Sequence, residues 1–185
     1  MLFGARNYSY SGRDMYRKVE RIIRSGREVC IISPYIDAHY AAFIRRHAGR
    51  RRYYILSSSL TSPARRILES RTPAWGIAFF VAVVLLADAA VYSAGLLSPY
   101  IIALSLLAVA ARWMAFRIWG GNRIRLRVPH GFVHAKLYIS DKMAASGSAN
   151  LTYNGMHGNI EHLEVVSDRE SIKELKRQFW SLWGT

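Results

Sequence analysis

The stretch that decides the fold is Phe132–Asn150, which reads FVHAKLYISDKMAASGSAN. Its first half alternates in the way a β-strand does, because successive side chains on a strand point to opposite faces of the sheet. One face, directed at the core, would carry Val133, Ala135, Leu137 and Ile139, and the other would carry Phe132, His134, Lys136 and Tyr138. The pattern therefore predicts that His134 and Lys136 project together from a well-anchored strand.

The second half of the stretch predicts a β-hairpin. The sequence SDKMA suits a turn, and a turn centred on Lys142 would pair residues symmetrically about that position. His134 would then lie opposite Asn150 and Lys136 opposite Ser148, with facing Cβ atoms about 4.5–5.5 Å apart. Gly147 would let another group approach closely.

Four polar side chains gathered in this way suit a phosphodiester. Lys136 supplies positive charge for a phosphoryl oxygen, while Ser148 and Asn150 supply neutral donors for the charge that grows in the transition state. A neutral His134 can attack phosphorus. The alternative is a half-exposed strand that carries a histidine and a lysine without chemistry.

The composition indicates an anionic partner. The chain has 185 residues with 26 Lys and Arg against 12 Asp and Glu, a formal net charge of +14. Such an excess fits nucleic acid, a membrane surface or a phosphorylated substrate. Cys30 is the single cysteine, so an internal disulfide is excluded and a reducing compartment is expected.

An apolar segment, residues 72–117, interrupts this basic chain. A membrane-spanning helix needs about 20 mostly apolar residues, so the length fits two spans, with a turn at Gly95, Ser98 and Pro99. Asp88 is the acidic residue within it. Because arginines flank both ends and the turn has none, the positive-inside rule predicts a multi-pass protein of the cell membrane with two spans, anchored in the lipid bilayer. The catalytic domain and both termini would then be cytoplasmic. The alternative is a pair of helices buried in a soluble core.

The rest of the chain alternates helical and strand patterns, which favours the α/β class. Residues 1–71 and 118–185 are expected to form one catalytic domain, interrupted by the hairpin at 72–117. EVCIIS (28–33) and RRYYILSSS (51–59) read as buried strands, and NRIRLRVP (122–129) reads as a half-exposed one.

The motifs in this frame resemble those of the phospholipase D superfamily. HAKLYISD (134–141) fits its H-x-K-x4-D motif, GSAN (147–150) fits the G-S-x-N continuation, and NIEHLEVV (159–166) is similar to the N-x-E strand that follows. In size the chain is similar to single-motif members, which include small bacterial endonucleases and membrane-anchored relatives. The resemblance implies a phospholipase D-like α-β-α sandwich with a mixed sheet.

The resemblance also implies roles for individual residues. His134 would be the nucleophile that forms a phosphohistidine, with Lys136, Ser148 and Asn150 holding the phosphate. Glu161 would orient and polarise the imidazole, and Asp141 would support the site by fixing the loop. No cofactor and no metal are expected, since the His, Asp and Glu spacings form no recognisable metal-binding set.

A single His134 cannot be both the neutral attacker and the charged proton donor in one step. The chain has no second H-x-K-x4-D motif. A two-fold homodimer with a shared active site supplies the second histidine, and the superfamily is built in this way.

The sequence thus predicts a membrane-anchored phosphodiesterase with a nucleic acid as the preferred substrate. One alternative is a phospholipase or phosphatidyltransferase that acts on anionic membrane phospholipid. Another is a non-catalytic tether that binds nucleic acid or lipid.

Overall fold

The structure is a computed structural model that describes residues 7–49, 51–70, 75–93, 95, 99–119 and 123–184. The chain divides into two compact units, Met1–Ser70 with Arg123–Thr185, and Arg71–Asn122. The predicted domain limits stay a prediction, because residues 71–74 and 120–122, around the two junctions, lie outside the described ranges.

In its described residues, the larger unit has nine strands and four α-helices. The strands are β1 (Asn7–Gly12), β2 (Glu28–Ile32), β3 (Tyr35–Ile36), β4 (Arg52–Leu56), β5 (Ser59–Leu60), β6 (Ile124–Arg127), β7 (Leu137–Ile139), β8 (Ala144–Gly147) and β9 (Glu161–Val166). The helices are α1 (Tyr16–Ser25), α2 (Ala38–His47), α3 (Ser62–Glu69) and α6 (Arg169–Gly184), with a short π-helix at Asn154–Gly158.

Seven of the strands form one mixed sheet in the order β1-β9-β8-β7-β2-β4-β6. β2, β4 and β6 are parallel, while the pairs from β2 through β7, β8 and β9 to β1 are antiparallel. β3 and β5 form a separate two-stranded parallel sheet. This arrangement confirms the predicted α/β class with a mixed sheet.

A hydrophobic core lies on each face of the large sheet. β2 shows the division, because Val29 and Ile31 belong to one core and Cys30 and Ile32 to the other. Helices α1, α2 and α3 pack on the first core, and α6 packs on the second through Ile172 and Phe179. The result is the three-layered sandwich expected from the resemblance.

The smaller unit is a helical hairpin of α4 (Trp75–Ser93) and α5 (Pro99–Trp119). Gly95 lies in the turn with a positive φ of 70°, a conformation that favours glycine. The Ser105 hydroxyl donates a hydrogen bond of 2.8 Å to the Asp88 carboxylate, so Asp88 has a partner in the facing helix. Ser98, another residue of the predicted turn, lies outside the described residues.

The prediction of two membrane spans is wrong. In the part of the chain that the structure describes, no helix combines the length and the apolar character that crossing a bilayer requires. The same finding contradicts the predicted localisation as a multi-pass protein of the cell membrane.

Candidate active site

The predicted site residues come from strand ends that meet at one end of the large sheet. β7 is antiparallel to β2 and β8, and β8 is antiparallel to β9. The start of β7, the end of β8 and the start of β9 therefore lie side by side. His134 and Lys136 precede β7, Ser148 follows β8, and Glu161 begins β9. We call this end of the sheet the site end.

His134 and Lys136 lie just outside the regular strand, which begins at Leu137. The segment is nevertheless held, because the Val133 N–H donates to the Ser58 hydroxyl at 2.8 Å and that hydroxyl lies 3.2 Å from the Val133 carbonyl. The prediction that the strand itself carries His134 and Lys136 is therefore wrong. An irregular segment held by Ser58 presents them instead.

The Lys136 ammonium lies against the His134 imidazole. Its Nζ is 2.9 Å from Nε2 and 3.2 Å from Nδ1, and it donates to the His134 carbonyl at 2.8 Å. An ammonium only donates, so a ring nitrogen that accepts from it must carry a lone pair. The imidazole is exposed, whereas Lys136 is 6% exposed. Burial lowers the pKa of Lys136, and the negative charge of Glu161 acts in the opposite direction.

The pairing of β7 with β8 differs by one residue from the predicted register. Leu137 pairs with Ser146 and Tyr138 with Ala145, so the turn is centred between Asp141 and Lys142. The shift brings Lys136 alongside Gly147, whose N–H lies 3.3 Å from the Lys136 carbonyl oxygen. The predicted facing pairs of His134 with Asn150 and Lys136 with Ser148 are therefore wrong, since a shift of one residue exchanges the two faces of a strand.

Ser148 and Glu161 form a hydrogen-bonded pair. The Ser148 hydroxyl donates to Glu161 Oε2 in a short contact and accepts from the His162 N–H at 3.0 Å. Asn159 Nδ2 donates to the other carboxylate oxygen at 3.0 Å. Both Glu161 oxygens thus have a partner, and the Ser148 side chain is fixed at the site end. Among the described residues, no hydrogen bond joins Glu161 to His134.

Gly147 makes this arrangement possible. A Cβ placed on it would meet the His162 carbonyl oxygen at 2.0 Å, well inside any real contact distance. The close approach expected at this glycine is therefore made by the backbone of β9.

Asn150 is partly buried just beyond Ser148. Its Oδ1 is buried and has no hydrogen-bond partner among the described residues. An unpaired buried acceptor costs about 1–3 kcal/mol. The structure leaves this amide available for a further interaction.

Asp141 does not join the other predicted residues. It follows β7, at the end of the sheet opposite the site end, and its Oδ1 accepts from the Arg27 N–H at 3.0 Å. A Cβ on Gly26 would lie 2.3 Å from the same oxygen. The carboxylate connects the β7–β8 turn to the segment before β2, and it does not lie beside His134 and Lys136.

Three residues of the site were not assigned roles from the sequence. Asn159 is the first residue of the quoted N-x-E pattern, so a signal for its contact with Glu161 was present. No sequence pattern indicates a role for Ser58 or His162, because their contacts depend on the spatial order of the strands.

Metal binding finds no support in the side chains that the structure describes. Within those residues no cluster of three or more His, Cys, Asp or Glu side chains is arranged to hold an ion.

Comparison with known families identifies the fold. The sequence model described as "Cardiolipin synthase, PLD-like domain" matches residues 5–183. The chain therefore belongs to this family of phospholipase D-like domains, and the predicted membership of the superfamily is confirmed. None of the curated proteins matches the sequence significantly.

Solved structures share the architecture. NucT from Helicobacter pylori is 16% identical with a TM-score of 0.56, and the alignment covers 98% of this chain and 97% of that one. Nuc from Salmonella typhimurium, described as a phospholipase D family member, is 13% identical with a TM-score of 0.57, covering 97% and 95%. At these identities the similarity shows the fold alone.

Proposed function

We propose that the protein is a phosphodiester hydrolase or transferase that works through a phosphohistidine at His134. The observation that carries the proposal is the convergence of an exposed imidazole, a buried ammonium and the Ser148–Glu161 pair at the site end. Family membership supports the same reaction class.

In the first step an unprotonated ring nitrogen of His134 attacks phosphorus, and the bond from phosphorus to the leaving oxygen breaks. Lys136, Ser148 and Asn150 would hold the non-bridging oxygens, for which Ser148 turns its one hydroxyl proton from Glu161 to the phosphate. Positive charge and hydrogen-bond donors then stabilise the developing negative charge. In the second step water or an alcohol attacks the phosphohistidine and the P–N bond breaks, while the attacking oxygen gives its proton to the group that protonated the leaving oxygen in the first step. Glu161 would keep Ser148 in position and offset the charge of Lys136.

The leaving oxygen needs a proton, and His134 cannot donate it while attacking. We therefore propose a two-fold homodimer in which His134 of a second copy is the acid. Heterodimers of a His134→Ala chain with a Lys136→Ala chain should recover little activity, since each shared site requires both histidines. Strong recovery of activity in the mixture would argue against a shared site.

We propose a nucleic acid as the preferred substrate. The net charge of +14 favours a polyanion, and the resemblance in size is to single-motif nucleases. A phospholipid phosphodiester is the second candidate, because the description of the matching family names cardiolipin synthase.

Three substrates assayed in parallel test the function: single-stranded DNA, RNA and vesicles of anionic phospholipid. We expect cleavage of a nucleic acid that persists in chelator and disappears in His134→Asn. Lipid cleavage alone would replace the preferred substrate. If wild type and His134→Asn bind but neither reacts, the protein is a non-catalytic tether.

A further inference from the structure

A row of exposed aromatic rings begins beside the proposed nucleophile. The Phe132 ring centroid lies 6.2 Å from that of His134 and 6.0 Å from that of Tyr35. Tyr35 and Tyr153 line a single cavity of about 430 Å³. Phe132, Tyr35 and Tyr153 are 61%, 46% and 54% exposed. We call these three residues the aromatic row.

Tyr153 is held firmly although its ring is largely exposed. It stacks on His157 at a centroid distance of 4.6 Å, and His157 in turn stacks on Tyr16 at 4.1 Å. The His39 ring packs edge-on against it, with the two ring centroids 5.5 Å apart. The Tyr153 N–H donates to Asp37 Oδ2 at 2.6 Å, while the other oxygen of that carboxylate caps α2. The ring therefore needs little ordering to receive a ligand.

The cavity between Tyr35 and Tyr153 is lined by aromatic and polar side chains together with Ile36 and the Asp37 carboxylate, whose two oxygens each accept a backbone N–H. Hydroxyl and amide side chains come from Ser59, Thr61, Thr152 and Asn154. Of the described residues that line it, none is a lysine or an arginine. Such a lining suits a flat heteroaromatic ring with hydrogen-bonding edges better than it suits a phosphate group.

We propose that the aromatic row is a stacking platform for the bases of a single-stranded nucleic acid whose scissile phosphate lies at His134. The proposal rests on the proposed function and names its substrate more closely. Unpaired bases stack on exposed aromatic side chains, whereas bases in a duplex already stack on each other. The net positive charge of the chain attracts the backbone without selecting a sequence.

The first test measures the affinity of the uncleaving His134→Asn protein for a single strand of about 12 nucleotides. Adding Tyr153→Ala should weaken binding about 5-fold or more, because one base–ring stack contributes about 1–3 kcal/mol. Tyr153→Phe keeps the ring and should keep the affinity. Tyr8→Ala is the matched control, since Tyr8 is 46% exposed on β1 and lies outside the row.

The second test separates stacking from a loss of structure. The adenine analogue 2-aminopurine loses fluorescence when it stacks, so it is placed at each position of the strand in turn. We expect one or more positions to be quenched on binding, with the quenching lost in Tyr153→Ala and retained in Tyr153→Phe.

Equal affinities for Tyr153→Ala and Tyr8→Ala would overturn the platform, as would tighter binding of the matching duplex than of the single strand. Either result leaves the phosphohistidine chemistry untouched, because binding is measured without turnover. Binding only to anionic vesicles would overturn both the platform and the preference for nucleic acid.

Discussion

Replacing Lys136 with Met should separate activity from stability. The ammonium is buried and makes three contacts with His134, at 2.8, 2.9 and 3.2 Å. In the proposed reaction the same group faces the phosphate. Losing one fixed transition-state donor costs about 10²–10³ in rate, so kcat on the preferred substrate should fall by about that factor in Lys136→Met.

The free energy of unfolding of Lys136→Met, in contrast, should rise or stay unchanged. Burial lowers the pKa of Lys136, so the unfolded chain binds its proton more tightly. This destabilisation is complete below the lowered folded-state pKa and is relieved as the pH rises from there towards the ordinary lysine value. Methionine of similar volume removes the buried charge, and we expect stability at pH 7 to be unchanged or about 1 kcal/mol higher.

Urea unfolding and initial-rate kinetics on the same preparations check both parts. Lys142→Met is the control, because Lys142 is exposed in the β7–β8 turn, and it should change neither quantity. Destabilisation of Lys136→Met by about 2 kcal/mol or more, or retention of a tenth or more of wild-type kcat, would contradict the roles given to Lys136.

Three further substitutions test the packing around the site. Gly147→Ala should destabilise the fold by about 2 kcal/mol or more in urea unfolding, since its Cβ would lie 2.0 Å from the His162 carbonyl oxygen. Tyr138→Phe should cost about 1–3 kcal/mol by the same measurement, because the buried Tyr138 hydroxyl donates to the Ala149 carbonyl at 2.7 Å. Asp141→Ala should lower stability by about 0.5–1.5 kcal/mol with kcat within about 2-fold of wild type, because its carboxylate accepts from the Arg27 N–H away from the site end.

Two matched variants serve as controls for these changes in stability. Gly49→Ala has open space around its Cβ and should be neutral. Tyr8→Phe removes a hydroxyl from an exposed ring and should also be neutral. A stable Gly147→Ala, a neutral Tyr138→Phe or a 100-fold loss of kcat in Asp141→Ala would each contradict the corresponding contact.

Most strands of the large sheet were predictable because their signals are local, but β1 was not among the predicted strands. Val29 to Ile32 form a continuous apolar run, and a strand that is buried on both faces requires one. The turn between β7 and β8 was also predictable, but its centre lies between Asp141 and Lys142 rather than at Lys142. Hydrophobic alternation did not fix the register here, because Leu137 and Tyr138 are both buried and each face has its own core.

The sequence predicted which residues belong to the site, but it did not predict which of them contact each other. The motif brought Ser148 and Glu161 to one end of the sheet, but their hydrogen bond depends on β8 lying beside β9. Asp141 belongs to the same motif and lies at the other end, since four residues separate it from Lys136 along an extended strand. Sequence proximity within a motif therefore did not mean proximity in space.

The hairpin shows the limit of composition as evidence. The apolar content of residues 72–117 suggested two spans, and two helices did form. Among the described residues, neither helix has the length and apolar character that a span requires.

The most direct test of the account is to quench the enzyme with its preferred substrate during turnover and to map phosphorylated peptides by mass spectrometry under alkaline conditions. We expect an acid-labile adduct on His134 that forms and decays with turnover and forms more slowly in Lys136→Met than in wild type. Steady turnover without any adduct on His134, or an adduct on another residue, would contradict it.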